Sequence, residues 1–174
     1  PLGKISRLFY KLMGADTTTS LAGKCIGPAV TFLPDVENMQ DFIKVDWLNT
    51  TCTLYRKDAL PQPVFDKHFT GYSLMEDLAL SLRVSKNWKL YTANNARIYH
   101  HSQPSEGKNN IFINAEMDLV NRFYIMKYIL EKTTLKDFTQ LALQQLFSGL
   151  ASKRLFSLRY LKGKFSGASK LRSI

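Results

Sequence analysis

The chain has little cysteine, and what it has follows no pattern. Cys25 and Cys52 are its two cysteines. They are too few for a disulfide framework and lack metal-binding spacing, so the expected setting is reduced and cytosolic. Long apolar runs are missing as well. Nothing approaches the roughly eighteen consecutive apolar residues that a spanning helix needs, and no signal-peptide pattern leads the sequence. Internal repeats and low-complexity tracts are absent. Asn49-Thr50-Thr51 fits the glycosylation sequon, a short pattern common by chance, and nothing else suggests secretion. Acid is missing from one region in particular: beyond Asp137 no Asp or Glu occurs.

Opposite that absence stand seven cations, Lys153, Arg154, Arg159, Lys162, Lys164, Lys170 and Arg172, in a chain of net charge +10. Leu155, Phe156, Leu158, Leu161 and Phe165 are interleaved with them. A basic segment with recurring apolar residues has what an interfacial helix needs against anionic lipid. Each cation close to such a surface contributes on the order of 1 kcal/mol. The competing reading is a solvated basic tail whose apolar residues cover the domain, because amphipathicity alone does not choose a partner. Nucleic acid would want a stacking platform or a known motif beside the charge, and neither is found, so no nucleic-acid partner is expected. With 174 residues, 45% hydrophobic and 22% charged, the chain is long and apolar enough for one ordered domain of ordinary size.

Periodicity predicts a helix from Ile5 to Met13, with Ile5, Leu8, Phe9 and Leu12 on its apolar stripe. Residues 21–40 read as irregular, broken by Gly23, Gly27, Pro28 and Pro34. Leu48 to Tyr55 reads as a strand, and Lys57 to Leu60 as a short helix stopped by Pro61 and Pro63. Glu76 to Lys86 is a predicted helix. Trp88 to Tyr91 and Arg97 to Tyr99 are predicted short strands around an Asn94-Asn95 turn. From Ile111 onward the pattern is helical: residues 112–131, then 135–150 with Thr134 as its cap and a stripe of Leu135, Phe138, Leu141 and Leu146.

The most informative stretch runs from Tyr72 to His101. Glu76-Asp77 opens an apolar helix, and about twenty residues later come Arg97, His100 and His101. A base, a cation and a metal ligand are what is needed to deprotonate a hydroxyl and hold a charged leaving group. Upstream lie Val45-Asp46-Trp47-Leu48-Asn49-Thr50, Leu54-Tyr55-Arg56-Lys57-Asp58-Ala59-Leu60, and Val64-Phe65-Asp66-Lys67-His68-Phe69. In this order, over residues 40–105, the pieces resemble the C-terminal half of the catalytic domain of family 2 glycosyltransferases, inverting enzymes of GT-A fold. The departures are specific. The family usually has Gly where Asn49, Thr50 and Thr51 stand, a further acid where Ala79 stands, and Gly where Asn87 stands. Its nucleotide-binding half, with an Asp-x-Asp metal motif, has no counterpart before residue 40, since Asp35-Val36-Glu37 follows a proline in a polar stretch and reads as a loop.

The resemblance implies an α/β fold, a partial GT-A (Rossmann-like) domain, acceptor side, over residues 1–105, and the helical pattern beyond it reads as an α-helical basic extension over residues 106–174. It implies that Asp77 is the general base and that Glu76 orients the acceptor or the Asp. An acidic pair at a helix start also opposes the helix dipole, which is the commoner role of such a pair in isolation. His100 lines up with the family's metal or diphosphate ligand, with Mn²⁺ or Mg²⁺ as the implied cation. In a regular strand His101 points to the opposite side, where Arg97 also points, so Arg97 clamps phosphate only if the strand breaks at Tyr99. Otherwise Arg97 is a salt-bridge residue, and His68 a plain loop residue. Trp47 and Tyr72 are candidates to stack on an acceptor sugar, with Asn49 in the acceptor loop, or are simply core. The implied activity is transfer of a sugar from a nucleotide-sugar donor to a glycan or lipid-linked acceptor in cell-surface polysaccharide biosynthesis. It would run in the cytoplasm, peripheral to the inner face of the cell membrane, and this stretch alone would be inactive without its donor-binding half. The alternative is a non-catalytic membrane-associating or scaffold module.

Overall fold

Side-chain caps set where the three C-terminal helices begin. Asn110 accepts from the Ile113 amide at 3.1 Å and starts α3, Ile111–Tyr124. Thr134 and Asp137 form a reciprocal capping box, with Thr134 N donating to Asp137 Oδ2 at 2.8 Å, and start α4, Leu135–Ala151. The Ser157 hydroxyl accepts from the Tyr160 amide and starts α5, Leu158–Lys170. A π turn, Ile125–Ile129, extends α3. The computed structural model describes residues 4–15, 23–32, 41–93, 95–96, 98–99, 101 and 109–174. The class is mixed α/β and mainly helical.

Before α3 the elements are short. Helix α1, Lys4–Leu12, forms as its periodicity predicts, but Phe9, Tyr10 and Met13 are the residues it buries, against Ile26. Ile5, Leu8 and Leu12 face solvent. The Phe9 ring stacks on Phe147 of α4, centroids 3.8 Å apart, and that contact selects the buried side. Residues 25–32 are not irregular: β1, Cys25–Ile26, pairs antiparallel with β2, Thr31–Phe32. The expected breakers Gly27 and Pro28 make the hairpin's turn instead. Gly27 has φ +67°, and an added Cβ would sit 2.7 Å from the Met13 carbonyl oxygen. Val30, fully buried, also has positive φ, 45°. Arg122 Nη1 donates to both the Ala29 and Val30 carbonyls at 2.8 Å, tying the turn to α3.

Strand β3, Phe42–Val45, pairs antiparallel with β4, Leu90–Ala93, in the register Phe42↔Ala93 and Val45↔Leu90. The strand expected over residues 48–55 does not form. Asn49 Oδ1 accepts from Thr51 N at 2.9 Å and folds Thr50–Cys52 into a 3₁₀ turn, a local bond that outcompetes pairing. A second 3₁₀ turn, Lys57–Ala59, stands where a short helix is expected. Trp88 lies ahead of β4, and Ile98 and Tyr99 lie in no strand. Arg97 and Asn94 are outside the described residues.

Helix α2, Glu76–Ser85, forms where predicted and is buried on most sides. Leu78, Ala79 and Leu82 pack with Val30, Phe69, Met75, Ile125 and Ile129, so side chains from both sides of residue 105 share one core. Leu80 and Val84 pack on Val45 and Leu90 of the β3–β4 pair. Helix α5 lies against α3 through Gly163 and Gly167, whose Cα atoms meet the backbone around Phe112 and Glu116. Lys164 pairs with Asp118 at 2.7 Å and Lys170 with Glu116 at 2.5 Å. One face of the basic segment therefore covers α3.

Candidate functional site

Asp77 is the second residue of α2, behind a left-handed Met75 (φ 71°) that occupies the N-cap position without a side-chain bond. Neither acid is the cap. Asp77 Oδ1 accepts from the Leu78 amide at 2.7 Å. Burial pushes the Asp77 carboxyl above the usual carboxylate range, with the Leu78 amide pulling the other way. A half-buried carboxylate with raised basicity is better suited to take a proton than a solvated one.

Ser81 is one turn further along the same side of α2 and has no exposed surface. Its Oγ accepts from Leu48 N at 2.9 Å, donates to Leu48 O at 3.3 Å, and lies 3.4 Å from Tyr55 Oη. One hydroxyl thus pins the Trp47–Asn49 loop and Tyr55 alongside the helix face that carries Asp77. The Tyr55 hydroxyl is raised by burial, and the charge of Asp77 adds to that. Trp47 and Asn49 line one hollow of about 360 Å³, together with Cys52, Thr53, Thr92 and Ile98. Trp47 also packs against the core around Leu78 and Met75.

The other expected residues are placed elsewhere. Tyr72 lines a separate cavity of about 730 Å³ with His68, Glu116, Asn121 and Lys170, between the lead-in to α2 and helices α3 and α5. His101 is exposed. His100 and Arg97 are outside the described residues. Among the described residues no three His, Cys, Asp or Glu side chains converge.

His68 is not a plain loop residue. Its ring stacks on Tyr124 at 3.8 Å and 5°, and Nε2 meets Asn121 Oδ1 at 3.1 Å. Asp66 accepts from Tyr124 Oη at 2.6 Å and from His68 N at 2.9 Å. Burial lowers the His68 pKa, opposed by the Asn121 bond. Burial alone would raise Asp66, but the Tyr124 hydroxyl, the His68 amide and the nearby charge of Arg83 together outweigh it and hold the carboxyl low. Tyr124 itself is pushed up to about 12 by burial and by Asp66. No sequence signal marks this group, because its partners lie 53 and 58 residues apart. Comparison with known families, with curated proteins and with solved structures finds no match.

Proposed function

We propose that the chain carries the acceptor side of an inverting glycosyltransferase active site, on a partial GT-A domain, with Asp77 as general base. The observation that supports it is the alignment along α2: a carboxyl made more basic by burial, one turn from the serine that fixes the Trp47–Asn49 loop and Tyr55. In the reaction Asp77 takes the proton of an acceptor hydroxyl as that oxygen bonds to the anomeric carbon of the donor. The bond from that carbon to the diphosphate oxygen breaks, and its electron pair leaves with the nucleoside diphosphate. Glu76 orients the acceptor, and Trp47 offers a ring face to its sugar. Arg97 and His100 are assigned to the diphosphate, and no step is routed through a metal ion. The acceptor class is a glycan or lipid-linked glycan.

Asp77→Asn, assayed in protein that carries these residues together with a nucleotide-binding half, should lower transfer about 10² to 10⁴-fold. Nucleotide-sugar binding should stay near normal, since the base acts on the acceptor. Stability separates this from unfolding. A raised folded pKa means that the carboxyl contributes stability below its unfolded value and loses it as pH rises through the folded one. At pH 7 the charged form is therefore a cost that Asn does not carry, and the variant should melt no lower than wild type. Transfer within a few-fold of wild type would remove Asp77 from the mechanism.

A further inference from the structure

Helices α4 and α5 leave an apolar trough of about 620 Å³ between them, on a part of the molecule separate from the α2 carboxylates. Leu119 and Phe123 of α3 form its floor, Phe138 and Leu146 one wall, Leu161 and Phe165 the other. Its rims stand in water: Leu146 is 54% exposed and Phe165 75%, with Leu135 at 82% and Phe156 at 87% extending the apolar surface beyond the trough. We propose that this two-helix trough docks on the surface of an anionic lipid bilayer. The reading goes beyond glycosyl transfer and stands independently of it.

Charge chooses the occupant. Lys164 and Lys170 are paired with Asp118 and Glu116, although Asp118 is shared with Arg122. Lys153, Arg154, Arg159, Lys162 and Arg172 make no salt bridge among the described residues. No acid follows Asp137 to offset them. A second copy of the chain would bring five like charges against five. A nucleic acid would meet the cations but leave Leu146, Phe156 and Phe165 in water. An anionic bilayer satisfies both, with acyl chains for the trough and headgroups for the cations. No helix among the described residues is long and apolar enough to cross a membrane, so the mode is lying on the surface. The seam extends beyond the C-terminal segment, because α4 supplies one full wall.

Sedimentation of the 174-residue chain with phosphatidylcholine vesicles, and with vesicles containing phosphatidylglycerol, tests this. Wild type should bind the anionic vesicles at least tenfold more tightly. Arg159→Gln, Lys162→Gln and Arg172→Gln together should weaken that binding about 100-fold at low salt. Leu146→Ser with Phe165→Ser should bind at low salt yet release at high salt, where wild type is retained. Both sites are exposed, and unchanged circular dichroism would confirm folding. Equal affinity for the two vesicle types, no binding to either, or salt sensitivity identical in wild type and the Ser variant would each overturn the proposal. So would a dimer in gel filtration that the Ser variant dissociates, since a second copy would then cover the trough.

Discussion

The seat of α5 on α3 makes a sharp prediction, because two glycines four residues apart face different obstacles. At Gly163 an added Cβ would sit 2.9 Å from Ala115 Cβ and closer still to the Phe112 carbonyl oxygen. Backbone cannot swing aside as a side chain can, so α5 must withdraw and loosen the Lys164–Asp118 pair. Overpacking of this kind costs about 1–3 kcal/mol, and more where the obstacle is backbone. Alanine returns about 1 kcal/mol of helix propensity. The net expectation for Gly163→Ala is a loss of about 2 kcal/mol, which for a chain of this size lowers Tm by about 4–8 °C. At Gly167 the nearest atoms are Glu116 O at 3.1 Å and Leu119 Cδ2 at 3.4 Å, and the latter ends a flexible side chain. Propensity and crowding then nearly cancel, and Gly167→Ala should fall within about 0.5 kcal/mol of wild type. Thermal and urea unfolding followed by circular dichroism, run on both variants together, reads the difference. Gly163→Ala as stable as wild type, or Gly167→Ala the weaker of the two, would refute the packing described for α5 and the trough built on it.

Asp118 supplies an acid-stability test. Burial alone would raise its carboxyl, but Arg122 Nε at 2.8 Å and Lys164 Nζ at 2.7 Å outweigh it and hold it well below the usual range. A depressed folded pKa contributes stability above the ordinary value of about 4 and loses it as pH falls below that. Asp118→Asn should cost about 3 kcal/mol at pH 7, and the gap to wild type should shrink below about pH 4. A gap in urea midpoint that does not vary with pH would contradict the assignment. For the thiols, burial and then Asp46 push Cys25 up to about 12, whereas Cys52 is exposed. Iodoacetamide at pH 8 should label Cys52 alone until the chain is denatured, and a doubly labelled native protein in mass spectrometry would refute this.

What the sequence made legible was whatever is written over short spacings. The Thr134–Asp137 box marks the start of α4 within three residues, and the Glu76 start of α2 is equally local. The segment from Leu48 to Tyr55 was misread because its Thr and aromatic content speaks for a strand. The Asn49 side chain, two residues from its partner amide, decides otherwise. The stripe of α1 was misassigned because amphipathic spacing says which residues share a side, and Phe147, far along the chain, says which side is buried. At the site, Asp77 was visible as half of an acidic pair. Ser81, which organises its surroundings, was invisible, since a serine inside an apolar helix carries no signal until Leu48 and Tyr55 meet it. The His68–Tyr124–Asp66 group was hidden for the same reason.

The bond from Arg122 to the hairpin turn has a kinetic consequence. A two-residue-by-two-residue hairpin cannot hold itself in water, and its turn contains a valine with φ 45°, a conformation that side chain resists. The guanidinium that accepts this arrangement arrives from 93 residues away. Closing a loop of that length costs about 4 kcal/mol of chain entropy before any contact repays it. Local helices form first, and the turn must wait for α3 to be in place. Once the grip of Arg122 slackens, what holds the bend locally is the turn bond from Val30 N to the Gly27 carbonyl at 3.2 Å and two pairs of strand residues. The expectation is that the hairpin forms after α3 and opens before it, which hydrogen exchange of the Val30 amide against those of α3 would read.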